Sequence, residues 1–429
     1  MEFEGAHGPV STARGDAILV RLEGRGGDSE VLEKHLAYEQ AVNADSPLVL
    51  GNKLTLLQNG PATYQAMFVA MREAQDHINL ETFIFDDDAI GNQFSDLLLE
   101  RQAAGVQVNV IHDSVGGINT PRAFYDRLRD GGIQVLEFNP LNPLTGNKKE
   151  WLVNNRDHRK QLVIDGHTAF TGGINISDTY SSAPASKRSG KKGEPGGNPS
   201  DGWRDTHIQI QGPVVAEFQK LFMDTWARQK GEPLAARNYF PELQAQGNEI
   251  VRAIGSTPDD PQSLIYLTLL SAISHAELTV HLTIAYFAPD PQLLKALTDA
   301  ARRGVDVKLV LPSYSDSWAI FHLGRSYYTD LLRSGVQIYQ LRGAVMHAKT
   351  VCIDGVWSTI GSTNLDWRSF LHNDEINAVI LGRGFAAQME AMFAADLTES
   401  EAITLDQWQR RSLMLRLKER AARLGQYWL

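Results

Sequence analysis

Two segments of the chain repeat one pattern of reactive side chains. The first reads HRKQLVIDGHTAFTGGIN from His158, and the second reads HAKTVCIDGVWSTIGSTN from His347. Counting from each histidine, both have Lys at +2, Asp at +7, Gly at +8, Gly at +14 and Asn at +17, across a separation of 189 residues (347 − 158). This agreement predicts two copies of one module whose reactive residues meet at a single site.

The similarity between the two copies extends over most of the chain. AQDHINLETFIF from Ala74 parallels AELTVHLTIAYF from Ala276, and FYDRLRDGGIQVLEF parallels YYTDLLRSGVQIYQL. Short β-branched segments alternate with amphipathic segments of about a dozen residues, which is typical of α/β units with a largely parallel, buried sheet. The predicted divisions are an N-terminal extension (1–45), a first half (46–245), a second half (246–403) and a C-terminal amphipathic helix (404–429).

Composition and sequence patterns exclude several classes of protein. A formal charge of −10 argues against a protein that coats nucleic acid by bulk charge. The single cysteine, Cys352, excludes an internal disulfide and a cysteine zinc cluster. The first 16 residues show no signal-peptide pattern, and the longest apolar stretch, 264–288, is too polar to span a bilayer. The insert 181–202, rich in Gly, Pro, Ser and Lys, interrupts only the first copy and predicts a flexible loop.

Each motif is suited to chemistry on an oxyanion such as phosphate. Asp-Gly between two apolar runs predicts a β-hairpin, and residues two apart on a strand share a face, so each His points the same way as its Lys. Lysine and asparagine neutralise and hydrogen-bond oxygens, a Gly-rich turn lets backbone N–H groups approach, and the imidazole serves as nucleophile or acid/base. Two such half-sites facing each other place one imidazole on each side of a phosphorus, the geometry for in-line displacement.

The positions in the two motifs give the candidate site residues. Asp205 and Glu375 lie at corresponding places after the two motifs once the insert is allowed for, and we expect them to orient the imidazoles as the carboxylate of a catalytic triad does. An Asp before a Gly is common in hairpin turns, so a structural role is favoured for the two motif aspartates. No metal-ligand spacing or nucleotide-binding motif occurs, so no metal or cofactor is expected. The catalytic candidates are His158, Lys160, Asp165, His347, Lys349 and Asp354, and the phosphate-binding candidates are Asn175, Asn364, Gly173 and Ser362.

The double motif HxKx4Dx6G(G/S)xN resembles that of the phospholipase D superfamily, whose members are often called HKD enzymes. INLETFIFDDDAIGNQF, DHRKQLVIDGHTAFTGGINI and GSTNLDWRSFLHNDEINAVI are similar, more narrowly, to segments of bacterial cardiolipin synthases, and the resemblance covers roughly residues 45–429. It implies two α/β/α halves related by a pseudo-twofold axis, with mostly parallel sheets and one active site between them. It also implies a phosphohistidine intermediate and no metal.

The function predicted from this resemblance is phosphatidyl transfer between two phosphatidylglycerol molecules, giving cardiolipin and glycerol. His158 is the expected nucleophile and His347 the general acid and then base, although the symmetry of the sequence leaves their order open. The alternatives are a hydrolytic phospholipase D, an HKD-type nuclease and a non-enzymatic phosphate-binding module.

The resemblance also predicts where the enzyme works and what it contacts. Its expected partners are the anionic phospholipid phosphatidylglycerol and a membrane surface, with no nucleic acid. The expected location is the cytoplasm, with peripheral association with the inner membrane. The aromatic residues of segment 314–328 and of the C-terminal helix are candidates for a lipid interface, with packing as the alternative reading.

Overall fold

The structure is a computed structural model that describes residues 2–11, 29–43, 46–141, 154–182, 202–260, 262–315 and 317–424, with isolated residues 13, 15 and 17. Most of the predicted loop 181–202 therefore lies outside the described residues. In the part that is described, no helix has the length and apolar character needed to span a bilayer.

The N-terminal extension and the first half alternate strands with helices, as the sequence pattern predicts. A short 3₁₀ turn, Asp178–Tyr180, follows the first motif. The elements are β1 (Glu4–Gly5), β2 (Gly8–Pro9), α1 (Ser29–Val42), β3 (Val49–Gln58), α2 (Asn59–Glu73), β4 (His77–Thr82), α3 (Ala89–Ala103), β5 (Gln107–Asp113), α4 (Arg122–Asp130), β6 (Gln134–Phe138), β7 (Arg156–Asp157), β8 (Gln161–Ile164), β9 (Thr168–Gly172), β10 (Trp203–Arg204), β11 (Thr206–Gln211) and α5 (Val215–Arg228).

The second half repeats this order and adds elements at its end. The elements are β12 (Glu249–Ser256), α6 (Leu264–Ser274), β13 (Thr279–Ile284), α7 (Pro291–Arg302), β14 (Asp306–Pro312), α8 (Trp318–Ser326), α9 (Tyr328–Arg333), β15 (Gln337–Leu341), β16 (Val345–Met346), β17 (Lys349–Ile353), β18 (Trp357–Gly361), α10 (Trp367–Leu371), β19 (Asn373–Leu381), α11 (Arg383–Thr398), β20 (Ser400–Ile403), α12 (Leu405–Gln409) and α13 (Leu413–Leu424).

One sheet runs through both halves and has the same strand pairing in each. The first half has the order β6-β5-β4-β8-β9-β11-β3 and the second has β15-β14-β13-β17-β18-β19-β12. Strands β3 and β12 pair antiparallel and join the halves. Only β4-β5-β6 and β13-β14-β15 are parallel stretches in these two series, because each motif folds as an antiparallel hairpin. The α/β class with two related halves is confirmed, and the predicted largely parallel sheet is a mixed one.

Separate apolar clusters stabilise the two halves and the seam between them. Ile78, Val108 and Leu162 belong to the first-half core, while Leu282 and Leu309 belong to the second. A third cluster combines residues of both halves around the β3–β12 seam. Burial of side chains from both copies in one cluster fixes their relative placement, since apolar area removed from water stabilises by about 25 cal/mol per Å².

The two ends of the chain both pack on the second half. Leu32 and Leu36 of α1 lie in the same core cluster as α6. The predicted C-terminal helix is divided into α12 and α13, with Thr404 capping α12 through reciprocal bonds with Gln407. Trp408 and Ala422 anchor the two helices in the second-half core.

Candidate functional site

The two motifs meet because each half contributes a strand to the other beside its histidine. β7, just before His158, pairs in parallel with the start of β19, and β10 pairs in parallel with β16, just before His347. The His158 N–H donates to the carbonyl of Asp374 at 2.9 Å, and the His347 N–H donates to that of Arg204 at 2.8 Å. Backbone hydrogen bonds across the seam therefore fix the position of both histidines.

Each imidazole is paired with a carboxylate from the opposite half. His158 Nδ1 lies 3.1 Å from both carboxylate oxygens of Glu375, and His347 Nδ1 lies 2.7 Å from Asp205 Oδ2. A carboxylate accepts the Nδ1 proton, which fixes the tautomer and leaves a lone pair on Nε2. The sequence identified both carboxylates, but their spacing did not assign either to a histidine.

Burial and local charge set the protonation of the first pair. Burial lowers the pKa of His158 to about 4, although Glu375 opposes the shift. Burial by itself raises the pKa of Glu375, but the charge of His158 and the hydrogen bond to it outweigh burial and hold this pKa at about 2. His158 is therefore neutral and Glu375 ionised near neutral pH, so Nε2 of His158 is available as a nucleophile.

In the second pair, too, the surroundings favour a neutral imidazole and an ionised carboxylate. Burial lowers the pKa of His347, with Lys349 adding to the effect and Asp205 opposing it. The pKa of Asp205 is held below its ordinary value because the charge of His347 and the bond to it outweigh burial. His347 also differs from His158 in its neighbours: the rings of Trp203 and Tyr180 lie 5.3 and 5.5 Å from the imidazole.

Both motif lysines are buried beside their histidines, although the strands that were expected to carry each His-Lys pair begin only at Gln161 and at Lys349. Lys160 Nζ donates to the backbone carbonyl of His158 at 2.6 Å and lies 5.3 Å from the centre of the Phe83 ring. Lys349 Nζ donates to the carbonyl of His347 and lies 3.0 Å from Nδ1; since Asp205 already accepts the Nδ1 proton, this second contact is no hydrogen bond, and the lysine charge disfavours the imidazolium. Burial lowers the pKa of Lys160 to about 7, so bringing an anion beside it favours the charged ammonium.

The Gly-rich turns support the carboxylates. A Cβ at Gly173 would lie 2.2 Å from Asp205 Oδ1, so only glycine leaves room for that carboxylate. Its counterpart Ser362 donates its hydroxyl proton to Glu375 Oε2. The backbone N–H groups of Gly173 and Ser362, which we expected to bind phosphate, donate to the carbonyls of Thr206 and Ile376.

The two motif asparagines differ in what they contact. The Asn175 amide donates to the Tyr180 hydroxyl at 2.9 Å, and its oxygen accepts the Ile84 N–H at 3.2 Å. Asn364 is buried, and its carboxamide oxygen has no hydrogen-bond partner among the described residues. Since a buried polar group without a partner costs free energy, Asn364 is the better placed of the two to meet a ligand.

The motif aspartates lie at the far end of each hairpin from the histidines. Asp165 and Asp354 have positive φ angles of 52° and 54° in the hairpin turns. The Asp165 carboxylate accepts the backbone N–H groups of residues 75–77, and the Asp354 carboxylate accepts those of residues 277–279. Seven residues of extended strand are about 23 Å, which is too far to touch a group reacting at the histidine. The geometry supports the structural reading of these two residues.

The sequence reasoning missed three aromatic residues that surround the imidazoles. Phe83 packs against His158 with a centroid distance of 5.3 Å, while Tyr180 and Trp203 pack against His347. Phe83 directly follows β4, and its position at the end of a central strand of an α/β sheet could have identified it from the sequence as a site residue. Tyr180 and Trp203 flank the insert, and nothing in their spacing relates them to His347.

The chain matches the family model described as "Cardiolipin synthase, PLD-like domain" over residues 67–183 and 269–397. It is 36% identical over 384 residues to cardiolipin synthase A of Pseudomonas syringae pv. syringae (strain B728a), covering 88% of this chain and 75% of that protein. It is 33% identical over 382 residues to a cardiolipin synthase of Geobacillus kaustophilus (strain HTA426), covering 88% and 72%. The crystal structure of phosphatidylserine synthase from Haemophilus influenzae Rd KW20 has a similar fold, with a TM-score of 0.68, 14% identity and coverage of 92% of this chain and 100% of that one.

Proposed function

Since the chain belongs to the cardiolipin synthase family of phospholipase D-like domains, we propose that it transfers a phosphatidyl group from one phosphatidylglycerol to a second, giving cardiolipin and glycerol. The observation that carries this proposal is the pair of imidazoles, each held at Nδ1 by a carboxylate of the opposite half. Two imidazoles with free Nε2 atoms supply both groups needed for a double displacement at phosphorus.

In the first step His158 Nε2 attacks the phosphorus, and the bond from phosphorus to the glycerol oxygen breaks. His347, protonated at Nε2 when the anionic phosphodiester raises its pKa, gives that proton to the leaving oxygen. The products are free glycerol and a phosphatidyl group bound to His158. We assign the acid role to His347 because its carboxylate contact is the shorter, at 2.7 Å, and because the nearby Trp203 ring favours a cation.

In the second step a hydroxyl of the second phosphatidylglycerol attacks the phosphorus. His347, now neutral, takes the hydroxyl proton, and the bond from His158 to phosphorus breaks. Water in place of the alcohol would give phosphatidic acid, so the same residues serve hydrolysis. Which acceptor reacts depends on the exclusion of water from the site.

Positive charge and amide donors stabilise the phosphoryl oxygens in both steps. Lys160 and Lys349 are each two residues from a histidine and are buried, so their charges act in a medium of low polarity. The amide nitrogen of the buried Asn364 can donate to a phosphoryl oxygen, and its unpartnered carboxamide oxygen can accept a hydrogen bond from a glycerol hydroxyl. Asp165 and Asp354 take no part in the reaction and hold the hairpins that carry the lysines.

The substrate sets where the enzyme works. Phosphatidylglycerol resides in a bilayer, so the chain must meet its substrate at a membrane surface. We propose peripheral association with the cytoplasmic face of the inner membrane.

The experiment is an assay of purified protein with phosphatidylglycerol in detergent micelles, read by lipid mass spectrometry. We expect cardiolipin and glycerol as the main products, little phosphatidic acid, and reversal of the reaction by added glycerol. His158→Ala and His347→Ala should each retain less than about 1% of the wild-type rate, since losing a nucleophile or an acid costs several factors of ten. Phosphatidic acid as the main product, with no effect of glycerol, would replace transfer by hydrolysis.

A further inference from the structure

Four exposed large apolar side chains lie at the edge of the sheet that carries the histidines. Ile118 follows β5, Tyr314 and Trp318 follow β14, and Leu371 ends α10 two residues before β19; these four side chains are 40% to 64% exposed. The register of the second half identifies this edge, because Ile284 at the carboxyl end of β13 pairs with Lys349, two residues from His347.

Direct packing connects this rim to the site in the first half and to the end of a strand next to the site in the second. The loop after β5 lies against Phe83, since a Cβ at Gly116 would be 2.0 Å from the Phe83 carbonyl oxygen. Phe83 in turn contacts His158. In the second half, α8 packs on the segment that follows β13, where a Cβ at Gly324 would be 2.2 Å from the Phe287 oxygen.

Helix α13 continues the exposed apolar surface beside α8. Its inner face is held by Ala422 in the core and by Glu419, which pairs with Arg411 at 2.9 Å. Arg423 of α13 also lies 4.7 Å from the ring of Tyr327, which follows α8. The outer face presents apolar residues three and seven positions apart, which share one side of the helix, and their exposure is 63% for Met414, 59% for Leu417 and 91% for Leu424.

The outer face of α13 is cationic in a chain whose formal charge is −10. The exposed cations Lys418 and Arg420 lie on the two sides of the apolar stripe, and the helix's one acidic residue, Glu419, is buried. A helix with Leu and Met on one face, flanked by Lys and Arg, is the pattern of an interfacial helix that binds anionic lipid. Exposed Trp and Tyr on the neighbouring rim are side chains that favour the boundary between water and acyl chains.

We propose that the rim residues Ile118, Tyr314, Trp318 and Leu371, together with the outer face of α13, form the surface on which the chain lies on an anionic bilayer, with the site mouth facing the lipid. This surface extends the proposed function, because it delivers a lipid headgroup to the histidines without extraction of the lipid from the membrane. A second copy of the chain fits the same surface less well. A twofold interface would place the cations of one α13 against those of the other, which repel.

The test is sedimentation of the full-length protein with vesicles of phosphatidylcholine, with and without phosphatidylglycerol. One variant replaces Met414, Leu417 and Leu424 with Ser, and another carries Lys418→Glu and Arg420→Glu. The control variant carries Phe240→Ser and Leu278→Ser, which replace side chains that are 47% and 50% exposed at the opposite edge of the sheet. Leu278 precedes β13, and Phe240 neighbours Pro241, which packs on the Gly166 hairpin turn.

We expect wild-type protein and the control variant to bind vesicles with phosphatidylglycerol equally well, and far better than vesicles without it. The apolar variant should bind at least tenfold more weakly, and the variant with both charge reversals should bind at least about fivefold more weakly. Turnover of short-chain phosphatidylglycerol below its micelle concentration should be unchanged in all variants. Equal binding by both α13 variants and wild type, or equal loss in the control, overturns the proposal.

Further arms separate this proposal from its alternatives. Vesicle binding is measured again in His158→Ala. This variant tests docking in a protein that does not turn over the lipid. If wild-type protein binds the vesicles through α13 yet makes no cardiolipin, the proposed function fails and the docking surface stands. If sedimentation without lipid shows a dimer that the apolar variant abolishes while vesicle binding persists, the surface is a contact between copies and the proposal is overturned.

Discussion

Replacing Glu375 with Gln tests the crossed pairing of the two halves. The carboxylate lies 3.1 Å from His158 Nδ1, so the attraction between it and the imidazolium-like charge that develops during attack is about 5 kcal/mol at an effective dielectric constant of about 20. Glutamine keeps the shape and removes the charge. It can also donate to Nδ1 and so favour the tautomer with the proton on Nε2, which cannot attack.

The expected loss in kcat is about 10²- to 10⁴-fold, since changing a triad carboxylate to its amide costs about this much and 5 kcal/mol corresponds to nearly four factors of ten. The assay combines steady-state cardiolipin synthesis with ¹⁵N NMR of the imidazoles, in which the two nitrogens report the tautomer. The His158 signals should change in Glu375→Gln, and the His347 signals should not.

Asp205→Asn is the matched variant and should give the reverse pattern, with His347 affected and His158 unchanged. A loss of less than about threefold in Glu375→Gln, or a response of His347 in place of His158, would refute the reasoning. The first outcome would mean that the carboxylate charge does not assist the imidazole. The second would mean that each carboxylate serves the histidine of its own half.

Four further predictions follow from the buried charges. The acid limb of kcat/KM should lie near pH 4, because protonation of His158, whose pKa is about 4, removes the lone pair that attacks. Activity should fall again as the pH rises through about 7 and Lys160, whose pKa burial lowers to about 7, loses its charge; Lys160→Arg should move this basic limb upward. Asp165→Ala should lower the free energy of unfolding by about 2–4 kcal/mol, because three backbone N–H groups lose their acceptor, while kcat of the folded protein stays within about threefold, as denaturant titration and assay will check. Cardiolipin synthesis should survive prolonged dialysis against EDTA, since Lys160 and Lys349 supply the positive charge; complete loss that a divalent ion restores would contradict this.

Most of the fold class was readable from local patterns. Hydrophobic alternation and the Asp-Gly turns are set by residues close in sequence, so the hairpins of the two motifs and the repeated α/β order were predictable. The family membership drawn from the double motif is confirmed by the comparisons. The direction of strand pairing was harder to predict from the sequence, because the buried, β-branched pattern of β4 and β13 is the same whether a neighbouring strand is parallel or antiparallel. The antiparallel hairpins of the two motifs make the sheet mixed.

Part of the candidate site could likewise be predicted from the sequence, and part could not. His158, Lys160, His347 and Lys349 were found because the same spacing of reactive residues occurs twice in the chain, and this pattern is visible before any tertiary contact forms. The role of Asp165 depends on which backbone reaches its carboxylate, and that is the segment before β4, about 90 residues earlier in the chain. No spacing within the motif contains that information.

The sequence by itself determined that one reactive module occurs twice, on hairpins within α/β halves, with a carboxylate at a corresponding place after each. The tertiary structure decided that each carboxylate serves the histidine of the other half, because β7 pairs with β19 and β10 with β16 across the seam. The spacing along the sequence is the same whether a carboxylate pairs with the histidine of its own half or with that of the other half. Only the backbone hydrogen bonds that join the halves, which link residues more than a hundred positions apart, distinguish the two.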